Sequence, residues 1–386
     1  MKIVYITNAR LPTEKAHGVQ IMKMNEALSG LGHDVTLIHP KRFQKEISHK
    51  KPIFIFYGVL ETFQIKTLNF VDPYLIRPFL PRFIYKFVSF VTDFLWGLKS
   101  IGEALRLNPD LIMFRDNTPF SFLLASLRKI TVAIEFHDMP PKIARRIFKY
   151  AIRKSKKTKC FSITSILAKD LEKELGLASN TISILPDAVD LSIFNKKAVI
   201  KQNKDKPLIT YCGSLSTAKG VDLLIESAKL LPEFNIKIIG GLDEDIYKYS
   251  EQTKSNHLDN VFFEGQISPN QVPLQLLESD ILILPSSGKS KKSREYTSAM
   301  KLFEYLATGV PILASNIPSN SEILESEKNC VLFDPDDPQK LAYATKYLWE
   351  NYDLRREISL NAIKLSKDYT WNNRSKIIMS EVCKFL

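Results

Sequence analysis

Residues 1–38 read MKIVYITNARLPTEKAHGVQIMKMNEALSGLGHDVTLI and predict a strand, a helix and a second strand. Apolar runs at 2–6 and 35–38 are typical of buried strands. Between them, apolar residues recur at the spacing of one helix face: Ile21, Met24, Ala27, Leu28 and Leu31. Gly30 and Gly32 then end the helix. A strand–helix–strand unit of about forty residues requires parallel strands, so this stretch predicts an α/β fold.

The same alternation continues along the whole chain. Its 386 residues exceed the usual length of a single compact domain. Further strands are predicted at 111–114 and 132–136, with an aromatic-rich helical region at 78–107 between the first helix and this pair. The stretch 195–207 is polar and is the best candidate for a linker. Beyond it, apolar runs predict strands at 208–212, 236–239, 261–263, 281–284, 311–314 and 330–333. The sequence therefore predicts two α/β halves.

The charge is strongly positive, with 54 Lys and Arg against 42 Asp and Glu. Nine basic residues and no acidic residue fall within 142–159. Such a run is either a solvated surface or a surface that attracts anionic lipid or a phosphate-bearing acceptor. Nucleic acid is the weaker interpretation, because no recognition motif accompanies the charge.

Neither a secretory leader nor a spanning helix is predicted. The N-terminal apolar run is too short for a signal peptide, and Lys86 and Asp93 interrupt the apolar stretch 83–98. The four cysteines form no closely spaced pair, so a reducing cytoplasm is expected.

The first chemical motif is the stretch 211–224, YCGSLSTAKGVDLL. A strand ends at Gly213, where the absence of a side chain lets backbone N–H groups approach a ligand. Lys219 precedes the next helix. A strand, a glycine loop and a lysine before a helix can hold a diphosphate, although most glycines after strands are simple turns.

The second motif is the stretch 298–315, SAMKLFEYLATGVPILAS, which predicts a loop, a helix, a glycine stop and a buried strand. Ser298 is predicted to cap the helix, and the helix N-terminus offers N–H groups to an anion. Glu304 lies further along the helix, where its carboxylate can bind two ribose hydroxyls. The alternative is a solvent-facing helical glutamate.

Two strand ends in the first half carry polar side chains. His137 follows the strand at 132–136, and Arg115 and Asp116 follow the strand at 111–114. A histidine there can face a ligand; the alternative is a loop histidine that bonds to nearby backbone.

No metal site is predicted. Asp243 with Asp245, and Asp334 with Asp336, fit an Asp-x-Asp pattern, but the second pair is better explained by a helix cap with Asp337 before Pro338. The chain also lacks the glycine fingerprint of nicotinamide cofactors.

Together the two motifs resemble the nucleotide-sugar domain of family 4 of the retaining glycosyltransferases, also called group 1, which has the GT-B fold. The stretch EYLATGVP, which begins at Glu304, matches the family segment closely. The family's first glutamate falls on Tyr296, with Glu295 adjacent, and its arginine after the glycine falls on Ser214. These departures resemble a branch that carries Ser-x-x-Lys-Leu-Phe-Glu-Tyr, matched here from Ser298.

The resemblance extends over most of the chain, including 13–38, 185–194, 261–265 and 369–371. It implies two Rossmann-like domains that face a cleft, an acceptor domain at 1–200 and a nucleotide-sugar domain at 201–365. A helix at 366–386 is expected to cross back onto the N-terminal domain.

The resemblance also implies the site residues. The catalytic group is His137, Lys219 and Glu304. The donor-binding group is Gly18, Gly213, Ser214, Lys219, Gly265, Tyr296, Ser298, Lys301 and Glu304. The acceptor-side group is His17, Arg115 and His137. In this interpretation His17 and Gly18 form a loop near the donor phosphates.

The implied activity is a retaining transfer of a hexose from a UDP- or GDP-sugar to a glycan or a lipid-linked acceptor. It needs no metal or other cofactor and takes place in the cytoplasm, including its membrane face. Two alternatives stay open: a nucleotide-sugar epimerase of the same fold, which needs no acceptor, and a non-catalytic subunit of that fold.

Overall fold

The computed structural model describes residues 1–13, 15–42, 52–115, 118–128, 130–269 and 271–385. The chain divides into two compact units. The first unit comprises Met1–Pro186 together with Trp371–Leu386, and the second comprises Asp187–Thr370.

The first unit contains a parallel sheet flanked by helices. Its strands are β1 (Lys2–Ile6), β2 (Asp34–Lys41), β3 (Gln64–Asn69), β4 (Leu111–Arg115), β5 (Thr131–Phe136), β6 (Thr158–Ser162) and β7 (Ser183–Ile184). Its helices before residue 186 are α1 (Ala16–Gly30), α2 (Ile53–Tyr57), α3 (Arg82–Arg106), α4 (Pro119–Ser126), α5 (Lys142–Lys154) and α6 (Ser165–Leu175). The strand order is β3-β2-β1-β4-β5-β6-β7, so the order reverses between β1 and β4.

The sequence predicted the central strands of this sheet but not β3, β6 or the two-residue β7. Strands β3 and β6 pair in parallel with strands that were predicted. In β3 most side chains are exposed or half-buried, since it lies at the sheet edge, and its apolar signal is weak. In β6 the buried Cys160 and Phe161 directly follow the basic run, so no apolar run of strand length marks this strand in the sequence.

The second unit repeats the plan with a second parallel sheet. Its strands are β8 (Leu208–Cys212), β9 (Asn235–Ile239), β10 (Val261–Gly265), β11 (Ile281–Leu284), β12 (Ile312–Ser315) and β13 (Val331–Phe333). Its helices are α7 (Val221–Ala228), α8 (Asp243–Ser255), α9 (Val272–Leu277), α10 (Lys291–Glu295), α11 (Met300–Thr308), α12 (Pro318–Ser321), α13 (Pro338–Glu350) and α14 (Tyr352–Ser366). The order is β10-β9-β8-β11-β12-β13, and the reversal lies between β8 and β11.

All six strands predicted in the second half are present, each within one or two residues of its expected bounds. Ile209, Ile236 and Ile283 lie in the core on one side of this sheet, and Leu282 and Ile312 lie in the core on the other. Apolar side chains therefore cover both faces, as a parallel sheet requires.

The last helix, α15 (Trp371–Val382), belongs to the first unit, although its sequence follows the second. It packs on α1, with Ile378 fully buried. This confirms the C-terminal helix expected to return to the N-terminal part of the chain. No helix in the described ranges has the length and the apolar character that a bilayer-spanning segment needs.

Candidate functional site

Three neighbouring strands of the second unit end in glycines that lie against one another. The Gly213 N–H donates to the Ile239 carbonyl at 2.8 Å, and the Gly240 N–H donates to the Gly265 carbonyl at 2.6 Å. A Cβ atom at Gly240 would lie 2.5 Å from the Gly213 carbonyl oxygen. The carboxyl ends of β8, β9 and β10 therefore form a floor of bare backbone, where a ligand can approach closely.

The loop after β8 is fixed to the loop after β11, at the reversal of strand order. Gly220 has φ +77°, and a Cβ there would lie 1.7 Å from the Pro285 carbonyl oxygen, so only glycine fits. The Ala218 carbonyl accepts hydrogen bonds from the Ser287 N–H at 3.2 Å and from the Ser293 hydroxyl at 3.0 Å. These contacts set the position of Lys219, the residue between them.

Lys301 directs its ammonium group onto the glycine floor. Its Nζ lies 3.8 Å from the ring centroid of Tyr211, and a Cβ at Gly213 would lie 2.3 Å from Nζ. The Nζ atom is buried and has no hydrogen-bond partner among the described residues. Burial, reinforced by the charge of Lys219, lowers the pKa of Lys301 from 10.5 to about 7.

Two further charged groups surround that ammonium. Burial, and then the charge of Lys292, lowers the pKa of Lys219. Burial raises the pKa of Glu304 to about 6, although Lys301 opposes the rise. The two lysines repel each other across a desolvated space and Glu304 compensates them only in part. Such an arrangement is suited to bind an anion that carries more than one charge.

Helix α11 begins at Met300, and the prediction that Ser298 caps it is wrong. The Ser298 hydroxyl instead accepts a hydrogen bond from the Asp187 N–H at 2.9 Å. Ala299 precedes the helix and no side chain caps it, because alanine has no acceptor to offer. The first N–H groups of α11 are therefore left without a side-chain cap beside Lys301.

The positions that match the family's first glutamate are occupied differently. The Tyr296 side chain is buried, with the Lys291 ammonium 5.2 Å from its ring centroid. The Glu295 carboxylate receives bonds from Arg294 Nε at 3.0 Å and Nη2 at 2.7 Å. Ser214 is exposed and its carbonyl accepts a bond from the Tyr211 hydroxyl at 2.7 Å.

In the first unit, a buried carboxylate organises the predicted acceptor-side residues. Glu135 Oε1 accepts hydrogen bonds from Gln20 Nε2 at 2.9 Å, from Arg374 Nη2 at 2.8 Å, and from His137 Nε2. Burial opposes ionisation, yet the guanidinium of Arg374 and the ring of His137 hold the pKa of Glu135 below its ordinary value. Arg374 also donates to the Pro186 carbonyl at 2.8 Å. The C-terminal helix therefore anchors the histidine through this carboxylate.

Arg115 completes this network. Its Nε donates to Gln20 Oε1 at 2.8 Å, and its Nη2 donates to His137 Nδ1 at 3.1 Å. Both ring nitrogens of His137 are therefore engaged within the protein. The structure brings Arg115 and His137 together; Asp116 lies outside the described residues.

His17 and Gly18 lie in the first turn of α1, not in a loop as the resemblance implied. Desolvation, and then the charge of Arg115, lowers the pKa of His17 to about 4, so this imidazole is neutral at pH 7. A Cβ at Gly18 would lie 2.3 Å from the Tyr57 hydroxyl, which fills the space beside it. Gly18 therefore permits close packing of α1 on α2.

Four residues of these two sites belong to no motif recognised in the sequence: Glu135, Gln20, Arg374 and Gly240. Gly240 and Gly241 directly follow an apolar run, and that signal could have marked a third glycine turn. Glu135 is an acidic residue inside an otherwise apolar strand, an exception that also marks a functional candidate. Arg374 carries no such signal, because its partner is distant in the sequence.

The acidic pairs do not come together as a metal cluster. Asp243 and Asp245 lie in the first turn of α8. Asp336 accepts a bond from the Gly288 N–H at 2.9 Å, and Asp337 caps α13 as predicted, with Pro338 at its first position. Within the described ranges, no group of three or more His, Cys, Asp or Glu side chains could hold a metal ion.

Comparison with known families accounts for nearly the whole chain. The model of the group 1 glycosyl transferases matches residues 192–365, and the model of glycosyltransferase family 4 matches residues 18–193. The chain belongs to the group 1 glycosyltransferases. Its two parallel sheets are the two Rossmann-like sheets of the GT-B fold.

Individual relatives are distant. An uncharacterized 41.2 kDa protein in the cps region of Klebsiella pneumoniae is 23% identical over 283 residues, which are 68% of this chain and 75% of that protein. The Escherichia coli UDP-Gal:alpha-D-GlcNAc-diphosphoundecaprenol alpha-1,3-galactosyltransferase is 27% identical over 43% of this chain and 44% of that enzyme. The structure of Anabaena HepE in complex with UDP has a TM-score of 0.73 at 14% identity and covers 100% of both chains, which shows the shared fold.

Proposed function

We propose that the chain transfers a hexose from a UDP- or GDP-sugar to a glycan or lipid-linked acceptor, with retention at the anomeric carbon and without a metal ion. The single observation that carries this proposal is the Lys301 ammonium, which is buried over Gly213 and has no hydrogen-bond partner among the described residues. Glu304 compensates this buried cation only in part, and uncompensated buried charge is costly, so the site is suited to an anion that arrives with the substrate.

The proposed anion is the diphosphate of the donor. When the sugar–phosphate bond breaks, negative charge develops on the departing diphosphate, and groups aimed at that charge lower the barrier. Lys219, Lys301 and the uncapped N–H groups of α11 would supply this stabilisation. The glycine floor at Gly213 and Gly265 would let the phosphates approach the backbone.

Glu304 is proposed to bind the ribose hydroxyls of the donor. It lies one helical turn beyond Lys301 in α11, so a nucleotide whose phosphates lie at Lys301 extends toward it. Its elevated pKa, about 6, leaves the carboxylate ionised at neutral pH, as acceptance of two hydroxyl hydrogen bonds requires.

For retention, the proposed step is a displacement on one face of the sugar. The acceptor oxygen bonds to the anomeric carbon on the side from which the diphosphate departs, and the acceptor proton passes to a departing phosphate oxygen. His17, Arg115 and His137 remain the proposed acceptor-side residues. Because both nitrogens of His137 are engaged, we assign that ring a positioning role in the ground state.

Two comparisons support the choice of donor and acceptor. HepE has been crystallised with UDP and with UDP-glucose. The related Escherichia coli enzyme is named for a UDP-galactose donor and a diphosphoundecaprenol-linked acceptor. These descriptions support a UDP-hexose and a lipid-linked acceptor as the first combination to test.

The test is a thermal-shift and calorimetric screen of UDP, GDP and ADP sugars, with Glu304→Gln as the decisive variant. Binding stabilises the folded state by mass action, so the correct donor raises the Tm. Loss of one charged hydrogen-bond partner should weaken donor binding by about 1.5–3 kcal/mol. Glu357→Gln, on the exposed face of α14, is the matched control and should bind as the wild type does.

Three outcomes would contradict the proposal. Absence of binding by every nucleotide sugar would favour the non-catalytic subunit. Conversion of the donor sugar without acceptor would favour the epimerase. Unchanged donor affinity in Glu304→Gln would remove the ribose assignment.

A further inference from the structure

The outer face of α3 exposes a continuous row of aromatic side chains. Phe83, Phe87, Phe90 and Phe94 are spaced by four, three and four residues, which places them on one side of the helix. Their exposed fractions are 73%, 68%, 44% and 42%. Other large apolar side chains exposed in and before this helix are Leu75, Ile76, Phe79, Ile84, Val91, Leu95 and Leu98. We call the whole set the α3 apolar face.

The α3 apolar face is separate from the face that packs on the protein. Trp96, Ser100 and Ala104 of the same helix are buried. Phe90 and Phe94 contact the Phe120 ring of α4 edge-on, at centroid distances of 5.2 and 5.3 Å. One end of the row is therefore anchored on α4, while the Phe79–Phe87 end carries the most exposed rings. Scattered apolar side chains are normal on a surface, but a contiguous row marks an interaction site.

The exposed charged side chains around this face are basic: Arg77, Arg82 and Lys86. Asp72 and Asp93, which flank the stretch 73–92, are half-buried and are paired with Arg42 and Asn8. Helix α3 contacts α4, and α4 contacts α5, so the basic helix α5 lies in the same layer of the first unit. The exposed basic side chains of α5 are Lys142, Arg146, Arg153 and Lys154.

We propose that the α3 apolar face docks on the surface of an anionic lipid bilayer. The phenylalanines at its exposed end enter the boundary between headgroups and acyl chains, and the basic side chains of α5 face the headgroups. A bilayer of this kind offers an apolar layer beneath a negative surface, which matches the pattern on α3 and α5. The helix lies in the membrane plane, because only one of its faces is apolar and the other packs on the protein.

The charge of this surface favours an anionic bilayer over a second copy of the chain as the partner of the α3 apolar face. A symmetric dimer that buried the exposed Phe79–Phe87 end of both copies against each other would bring Arg77, Arg82 and Lys86 of the two copies close together, and like charges repel. An anionic bilayer neutralises the same residues. The proposal concerns the first unit alone and does not depend on the donor site, so either can fail without the other.

The test is co-sedimentation of the full chain with vesicles of phosphatidylcholine alone or with phosphatidylglycerol added. We expect binding to the anionic vesicles at low salt, partial release at high salt, and weak binding to the neutral vesicles. The double variant Phe83→Ser/Phe87→Ser should lower the partition coefficient about 100-fold, since each buried phenylalanine contributes at least a tenfold factor.

Two further variants complete the design. Reversal of charge at Arg146, Arg153 and Lys154 to Glu should abolish the preference for anionic vesicles. Tyr343→Ser/Leu360→Ser is the matched control, because these side chains of the second unit are 71% and 67% exposed. It should sediment with vesicles as the wild type does. All variants should retain the wild-type affinity for the donor nucleotide.

Several outcomes would overturn the proposal. They are failure of the wild type to bind anionic vesicles, equal binding to neutral and anionic vesicles at every salt concentration, and full binding by the Phe83→Ser/Phe87→Ser variant. A concentration-dependent dimer in sedimentation velocity that this variant disperses would show that a second copy covers the face instead.

Discussion

Replacement of Lys301 by methionine tests the central feature of the donor site, a buried ammonium whose charge Glu304 compensates only in part. In the ligand-free protein, burial lowers the pKa of Lys301 to about 7, so at pH 8 only about one molecule in ten carries the charge. A bound diphosphate favours the charged form and raises the pKa. Nucleotide binding at pH 8 should therefore take up protons, close to one of them at Lys301.

The assay is titration calorimetry with the nucleoside diphosphate in two buffers that differ in ionisation enthalpy. At pH 8 Glu304, with a pKa of about 6, is already ionised and adds little to the proton balance. Lys301→Met should bind the nucleotide more weakly and take up fewer protons than the wild type, with the remaining uptake due to Lys219, whose pKa is also lowered. Lys364→Met, at an exposed position of α14, should retain both the affinity and the uptake.

The same substitution should stabilise the ligand-free protein. The folded state binds the Lys301 proton more weakly than the unfolded chain does, so the wild-type lysine destabilises the folded protein. This loss of stability is complete below pH 7 and disappears toward pH 10.5. At pH 7 the drop in pKa corresponds to about 4 kcal/mol as an order of magnitude. The Tm of Lys301→Met should exceed that of the wild type at pH 7, with a smaller difference at pH 9. Equal proton uptake on nucleotide binding by the wild type and Lys301→Met would refute the assignment of Lys301.

Other predictions concern metal independence, the buried network and the glycine loop. Transfer activity should persist in excess EDTA; loss that Mg²⁺ or Mn²⁺ restores would show that an acidic pair binds metal. Arg374→Met should lower the free energy of unfolding at pH 7 by about 3–5 kcal/mol, because it removes the guanidinium that compensates the buried Glu135 carboxylate. The pKa of Glu135 is lowered in the folded protein, so the difference in unfolding free energy between the wild type and this variant, measured by urea titration, should narrow below about pH 4. A difference that does not depend on pH would argue against the Glu135–Arg374 ion pair. Gly220→Ala should lower the Tm, because its Cβ would meet the Pro285 carbonyl, whereas Gly102→Ala in α3 has open space and should gain about 1 kcal/mol; the opposite order would contradict the loop geometry.

Local sequence patterns predicted most of the strands and helices. Apolar runs of four to six residues, separated by helical spacing and glycine stops, placed β1, β5, β8 and β11 because burial on both faces of a parallel sheet demands continuous apolar strands. Strands that lack this property, such as the half-exposed β3, were not recognisable from their residues alone.

The residues of the candidate site also divide into those that a local motif predicted and those that it did not. Lys219, Lys301 and Glu304 were named from a motif within one stretch of chain, and the structure places all three in the second unit with mutually perturbed charges. Ser298 shows the limit of that approach. A serine before a helix is a good cap on statistical grounds, but its hydroxyl was recruited by the Asp187 N–H, which is remote in the sequence.

By itself the sequence determined the alternation of strands and helices, the family, and which residues can carry charge into the site, because these depend on residue type and short-range spacing. Only the tertiary structure decided the state of those charges. The ammonium of Lys301 loses its water when α11 packs over Gly213, and Glu135 receives Arg374 when the last helix returns to α1. Desolvation and long-range pairing depend on which distant segments meet, and no local pattern of residues records that.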